Sequence, residues 1–229
     1  MTSHSLFLHE EIVLLALHDE KGTVPFGTMV GYAVGGALIA ELLLRERLAL
    51  APGKRADLLT VRSTTPVGEP ALDLALEQIR TAKRRASATS WVGRLASRVP
   101  TRQIALRLAQ RGIVRREEGR FLLIFTRDVF PTVNPDPERE LVERMRRAIF
   151  EDREVDGRTA ILVGLAKSVD LLRLVFDRKA VKARKQRLDE LAKMHAAAGA
   201  TREAIESVQA AMVAVTAASA AAAASSGAG

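Results

Sequence analysis

Apolar residues recur along most of the chain at helical spacing. In Leu6–His18 the residues Leu6, Val13, Leu14 and Leu17 fall near one face, Glu10 and Glu11 lie elsewhere, and Gly22 follows as a C-cap. Met29–Leu44 is the most apolar stretch, and its helix continues toward Leu48. Leu48–Leu50 and Leu58–Arg62 read as two short strands joined at Pro52–Gly53. Pro66, Gly68 and Pro70 make Thr64–Pro70 a loop. Helices follow over Ala71–Arg84, Ser87–Ser97 and Thr101–Arg111, the last two parted at Pro100. Ile113–Phe125 reads as a hairpin turning at Glu118–Gly119. Four more helices are predicted over Glu138–Phe150, Arg158–Phe176, Arg178–His195 and Arg202–Val215, with Asp136 as N-cap and Pro137 at the first helical position.

This pattern predicts a mainly α fold: a single helical-bundle domain with a small β-ribbon and a protruding apolar β-hairpin. The domain is expected over residues 1–200. Residues 201–229 are expected to be a C-terminal helix fraying into an Ala/Ser/Gly tail. Met29–Leu44 is 16 residues long, contains Glu41 and is flanked by Arg45 and Arg47, so it reads as a buried helix rather than a bilayer span.

Composition narrows the function. The 229 residues include no cysteine, which excludes disulfides, thiolate metal sites and cysteine nucleophiles and suits a reducing compartment. Aromatic residues make up 4%, too few for a base-stacking platform. No signal peptide opens the chain, so the expectation is a soluble, basic, cytoplasmic protein with anionic partners. The formal charge is +8, yet residues 80–120 alone carry twelve Lys and Arg against Glu117 and Glu118. Most of those cations are arginines, whose planar fork suits phosphate. They form either a solvated face or an anion-binding surface.

Beside them lie five consecutive large apolar residues, Phe121, Leu122, Leu123, Ile124 and Phe125. A strand with one wet face alternates, so this run needs cover on both sides from core, another subunit or lipid. Catalytic chemistry finds little support. His4, His9, His18 and His195 lack the i, i+4 spacing of a zinc helix. Gly31, Gly35 and Gly36 sit inside a helix, as close-packing residues rather than a phosphate loop. No G-x-S-x-G elbow occurs. No enzyme activity, metal or cofactor is expected.

Three ordered blocks carry a resemblance: Leu6–Gly22 (LFLHEEIVLLALHDEKG), Gly36–Leu48 (GALIAELLLRERL) with Thr65–Leu76 (TPVGEPALDLAL), and Leu108–Phe125 (LAQRGIVRREEGRFLLIF). Together they resemble the Golgi phosphoprotein 3 family across roughly residues 6–195, and a bacterial-type member fits the composition. The resemblance implies a helical bundle and peripheral membrane association. Eukaryotic members bind phosphatidylinositol 4-phosphate on Golgi membranes and engage cytosolic tails of glycosyltransferases. Their head-group pocket uses a Trp, an Arg in the second helix and two later basic residues. The matching positions here are Gly27, Gly35, Arg98 and Thr101, with Arg102 adjacent. The apolar hairpin matches a family element associated with membrane insertion and self-association.

The expected function is therefore peripheral binding of anionic phospholipid head groups on the cytosolic face of a membrane: the Golgi in a eukaryote, the inner leaflet of the plasma membrane in a bacterium. Arg98, Arg102, Arg107 and Arg111 would face the phosphates while Phe121–Phe125 enters the interface or joins a homo-oligomer. Two alternatives stay open. One is a winged-helix-like DNA-binding protein built on Ser87–Arg111 and the hairpin, disfavoured by the apolar second strand. The other is a protein scaffold that oligomerises through the hairpin.

Overall fold

A computed structural model describes residues 6–17, 27–53, 57–121, 125–193 and 215. Their elements run α1 (Leu8–Ala16), α2 (Gly27–Leu44), β1 (Leu48–Ala51), β2 (Leu58–Val61), α3 (Pro70–Arg80), α4 (Ala88–Arg98), α5 (Thr101–Gln110), β3 (Glu117–Phe121), β4 (Phe125–Val129), α6 (Asp136–Phe150), α7 (Gly157–Ser168), α8 (Leu172–Val175), α9 (Arg178–Ala183) and α10 (Lys185–Lys193). The architecture is mainly α, with two two-stranded antiparallel ribbons, β1–β2 and β3–β4. No described helix is long and apolar enough to cross a membrane. The expected C-cap at Gly22, the tail and most of Arg202–Val215 lie outside the described residues. Val215 itself is buried and lies against Gly36.

Helix α1 departs from the amphipathic reading. Every residue from Leu8 to Ala16 is buried, including His9, Glu10 and Glu11. It is the axis of the bundle, touching α2, α5, α6, α7 and α8. Its charged residues stay inside because each meets a partner from another element, which is the condition for burying charge. Helix α2 is apolar on most sides, with Glu41 its one charged residue, and packs along α4. A Cβ added at Gly35 would lie 2.7 Å from the Val92 carbonyl oxygen and one at Gly31 3.4 Å from that of Ala96. These glycines set the interaxial distance, as the close-packing reading expects.

Helix ends follow local chemistry. Helix α5 stops in a Schellman turn: the Gly112 amide donates to Ala109, the Ile113 amide to Leu108, and Gly112 takes φ +71°. Two other breaks use non-glycine residues. Glu46 (φ +54°) ends α2 through Arg47 N–H to Leu42, and Asp170 (φ +61°) ends α7 through Leu171 N–H to Ala166. The predicted single helix Arg158–Phe176 is therefore two. Arg178–His195 divides similarly around Arg184 as far as Lys193. The N-cap of α6 is Pro135, and Asp136 is its first helical residue.

The hairpin has a different turn from the expected one. Phe121 pairs with Phe125, Arg120 with Thr126, Gly119 with Arg127 and Glu118 with Asp128. Glu118–Gly119 is thus inside β3. The five-residue apolar run is not one strand: its ends are the last rung of the ladder, and Leu122, Leu123 and Ile124 join them. Those three residues, and the side chains of Phe121 and Phe125, lie outside what is described.

Candidate functional site

Three consecutive residues of α1 tie the basic helices to the core. His9 Nε2 lies 3.3 Å from Glu69 Oε2, and Arg107 Nε lies 3.4 Å from Glu69 Oε1. Glu69 also caps α3, accepting the Leu72 amide at 2.7 Å. Burial pushes its carboxyl up, but His9 and the Leu72 amide outweigh that and hold it below the ordinary range. Glu10 Oε2 accepts from Arg111 Nη1 at 2.7 Å and from the Phe7 amide at 3.0 Å. Glu11 Oε1 accepts from Arg144 Nη2 at 2.6 Å. Burial raises the Glu11 carboxyl against the pull of Arg158 and Arg144.

Two of the expected phosphate-facing arginines are therefore engaged. Arg107 and Arg111 approach carboxylates that are each 3% exposed, while their own side chains remain 37% and 31% exposed. Arg102 donates to Asp128 Oδ2 at 2.5 Å, and Arg116 donates to Asp128 Oδ1 at 2.8 Å. Asp128 thus fastens β4 to the start of α5. The two arginine contacts, against burial, hold its carboxyl below the ordinary range. Arg102 stays more than half exposed. Thr101, the first residue of α5, is half-buried.

Among the described residues, the carried-over pocket positions fall in different parts of the fold. Gly27 opens α2, and Gly35 is buried beneath α4, where even a Cβ would strike the Val92 carbonyl. Arg98 points instead toward α3, donating from Nη1 to Gln78 Oε1 at 2.6 Å. There it lines an open groove of about 520 Å³ with Gln78, Lys83, Arg84, Trp91 and Arg94. The Arg94 guanidinium stacks over the Trp91 ring, 4.9 Å from its centroid. Trp91 and Gln78 were absent from the sequence-derived candidates. The clue available was the sequence itself, where Trp91, Arg94 and Arg98 recur at i, i+3 and i+7 on one helical face.

The motif Thr65–Leu76 has a structural role at this junction. Both Asp73 oxygens fold back onto the preceding loop, accepting the Val67 amide at 2.6 Å and the Gly68 amide at 3.1 Å. This aligns Glu69 as both cap and partner of His9. On the far side, Arg158 joins α7 to Glu41 of α2 at 2.8 Å and to the Leu6 carbonyl at 2.8 Å.

The model of the family described as Golgi phosphoprotein 3 (GPP34) matches residues 8–208. Vacuolar protein sorting-associated protein 74 of Schizosaccharomyces pombe is 30% identical over 138 residues, which are 52% of this chain and 41% of that protein. The chain thus spans less than half the length of this curated relative. The matched region contains the buried α1–α2 pair, the capped loop before α3 and the hairpin after α5. The chain belongs to the Golgi phosphoprotein 3 family.

Proposed function

We propose that this protein is a peripheral binder of anionic phospholipid head groups, a non-catalytic adaptor at a cytosolic membrane face. Its basic helices meet the phosphates and its hairpin end enters the interface. The observation behind this reading is the β3–β4 register. Pairing Phe121 with Phe125 leaves Leu122, Leu123 and Ile124 between the strand ends, and the arginine-rich segment 80–120 precedes them in sequence. Each apolar side chain buried in lipid contributes about 1.5–3 kcal/mol. Each basic side chain near an anionic leaflet adds about 1 kcal/mol. Arg98, held only by the neutral Gln78, and Arg102, which stays more than half exposed while paired with Asp128, are the more available of the expected contacts, because Arg107 and Arg111 serve more deeply buried carboxylates.

Family membership supports the phosphatidylinositol 4-phosphate head group, cytosolic enzyme tails as partners and a Golgi location in a eukaryotic host. In a bacterium the corresponding surface is the inner leaflet. Self-association through the hairpin fits the same apolar end. Liposome co-sedimentation at physiological salt tests the reading with neutral vesicles, phosphatidylserine vesicles and phosphatidylinositol 4-phosphate vesicles of matched charge. Anionic vesicles should bind, and charge reversal at Arg98 and Arg102 should abolish binding. No binding to either anionic set overturns the reading.

A further inference from the structure

We propose that the groove between the end of α3 and the outer face of α4 is a binding site for a phosphate monoester. It shares Arg98 with the positions matched to the family's head-group pocket, does not include Gly27 or Gly35, and adds Lys83, Arg84, Trp91 and Arg94. It rests on the reading above only for the source of the phosphate, which can be a lipid head group or a soluble phosphate ester.

The groove gathers Lys83, Arg84, Arg94 and Arg98, and no carboxylate lines it. No ion pair is formed by these four cations among the described residues, in contrast to Arg102, Arg107, Arg111 and Arg116. Like charges gathered without counter-charge repel one another, and a bound anion relieves that repulsion. The α3 C-terminus beside the groove carries roughly half a negative charge, far less than four full positive ones.

The groove also has a built wall. Trp91 is 3% exposed, and its indole nitrogen is buried without a hydrogen-bond partner among the described residues. Its ring carries Arg94, and Gln78 holds Arg98, so two guanidinium groups are pre-positioned rather than free to swing. Pre-positioned forks lose less freedom on binding and suit the oxygens of a terminal phosphate. The volume of about 520 Å³ admits a phosphorylated polyol rather than a lone ion.

The test uses a property of this chain: Trp91 is its sole tryptophan, so selectively excited tryptophan emission reports from the groove wall. Inositol 1,4-bisphosphate should change that fluorescence saturably. Lys83→Gln with Arg84→Gln, at two exposed positions remote from the core, should weaken binding roughly thirtyfold. Far-UV circular dichroism and the thermal midpoint confirm that the pair folds. A non-saturating response, or one unchanged in the double variant, overturns the site. Vesicles then separate the sources. If phosphatidylinositol 4-phosphate vesicles bind more tightly than phosphatidylserine vesicles and the double variant removes the excess, the ligand is a head group. If the fluorescence saturates but no vesicle binds, the site holds a soluble phosphate ester and only the membrane reading fails. If vesicles bind and the double variant changes neither assay, the membrane reading stands and the groove assignment fails.

Discussion

Arg158 donates from Nη1 to Glu41 Oε2 at 2.8 Å, joining α7 to α2 across 117 positions of sequence. The same guanidinium reaches the Leu6 carbonyl and lies 3.6 Å from Glu11 Oε2. Arg45 and the Leu8 amide complete the shell of Glu41 at 2.9 and 3.1 Å. One side chain therefore compensates carboxylates on both buried helices. Arg158→Ala should leave Glu11 and Glu41, each under 5% exposed, facing apolar core without that charge. The expected loss is about 3–5 kcal/mol, read as a lower urea midpoint with an unchanged m-value. A loss below about 1 kcal/mol would assign the network to surface electrostatics instead.

Acid should weaken the fold through the same carboxylates. Burial raises the Glu41 carboxyl, but Arg158, the Leu8 amide and Arg45 outweigh it and set it below 4.5. Glu69 and Asp156 are lowered in the same sense. As pH falls, the unfolded chain takes up these protons first. Stability is therefore present above the ordinary carboxyl range and drains away as pH drops through the folded values. Glu11 has the opposite sign: raised by burial, it binds its proton more tightly when folded and subtracts stability as pH rises past 4.5. Urea midpoints measured from about pH 3 to about pH 7 should fall steeply on the acid side. Glu41→Gln should flatten that acid limb, and Glu11→Gln should remove the opposing slope above it.

Helix α2 predicts a contrast between two glycines. Gly35→Ala brings a Cβ within 2.7 Å of the Val92 carbonyl, a backbone atom that moves only with α4. It should cost about 1–3 kcal/mol. Gly93→Ala meets nothing within 4 Å in the middle of α4. It should gain about 0.5–1 kcal/mol from lower helix entropy cost. Thermal midpoints moving in opposite directions check both. Equal shifts would mean that α2 and α4 are not in close contact.

Element identity was largely legible in the sequence, because helices α3, α4, α5 and α6 each place their apolar residues on one buried face. What was hidden depended on distant partners. Glu10 and Glu11 fall off the apolar face of α1 by spacing, and their burial depends on Arg111 and Arg144, 101 and 133 positions away. The α7–α8 break was hidden because Asp170 takes a left-handed conformation without the glycine that usually marks one. The hairpin turn was misplaced because Glu118–Gly119 has turn chemistry, whereas pairing to Asp128 and Arg127 draws both residues into β3. At the candidate site the arginine count was informative but could not sort its members. Arg107 and Arg111 brace carboxylates, while Arg94 and Arg98 frame a groove.

That corrected register sharpens the last prediction. With Phe121 opposite Phe125, Leu123 is the middle of the three residues between the strand ends, and Asp128 anchors the other end of the ladder through Arg102 and Arg116. A charge at position 123 should therefore act on an interface and not on the bundle core. Leu123→Glu exchanges an apolar contribution of about 1.5–3 kcal/mol for a carboxylate repelled by an anionic leaflet. Vesicle binding should fall by at least tenfold, about 1.4 kcal/mol, with the thermal midpoint unchanged. Leu123→Phe keeps the apolar payload and should keep binding. If Leu123→Glu instead lowers the midpoint and leaves vesicle binding intact, the hairpin end packs on protein. Sedimentation velocity would then show whether that protein is a second copy, through loss of an oligomer in the same variant.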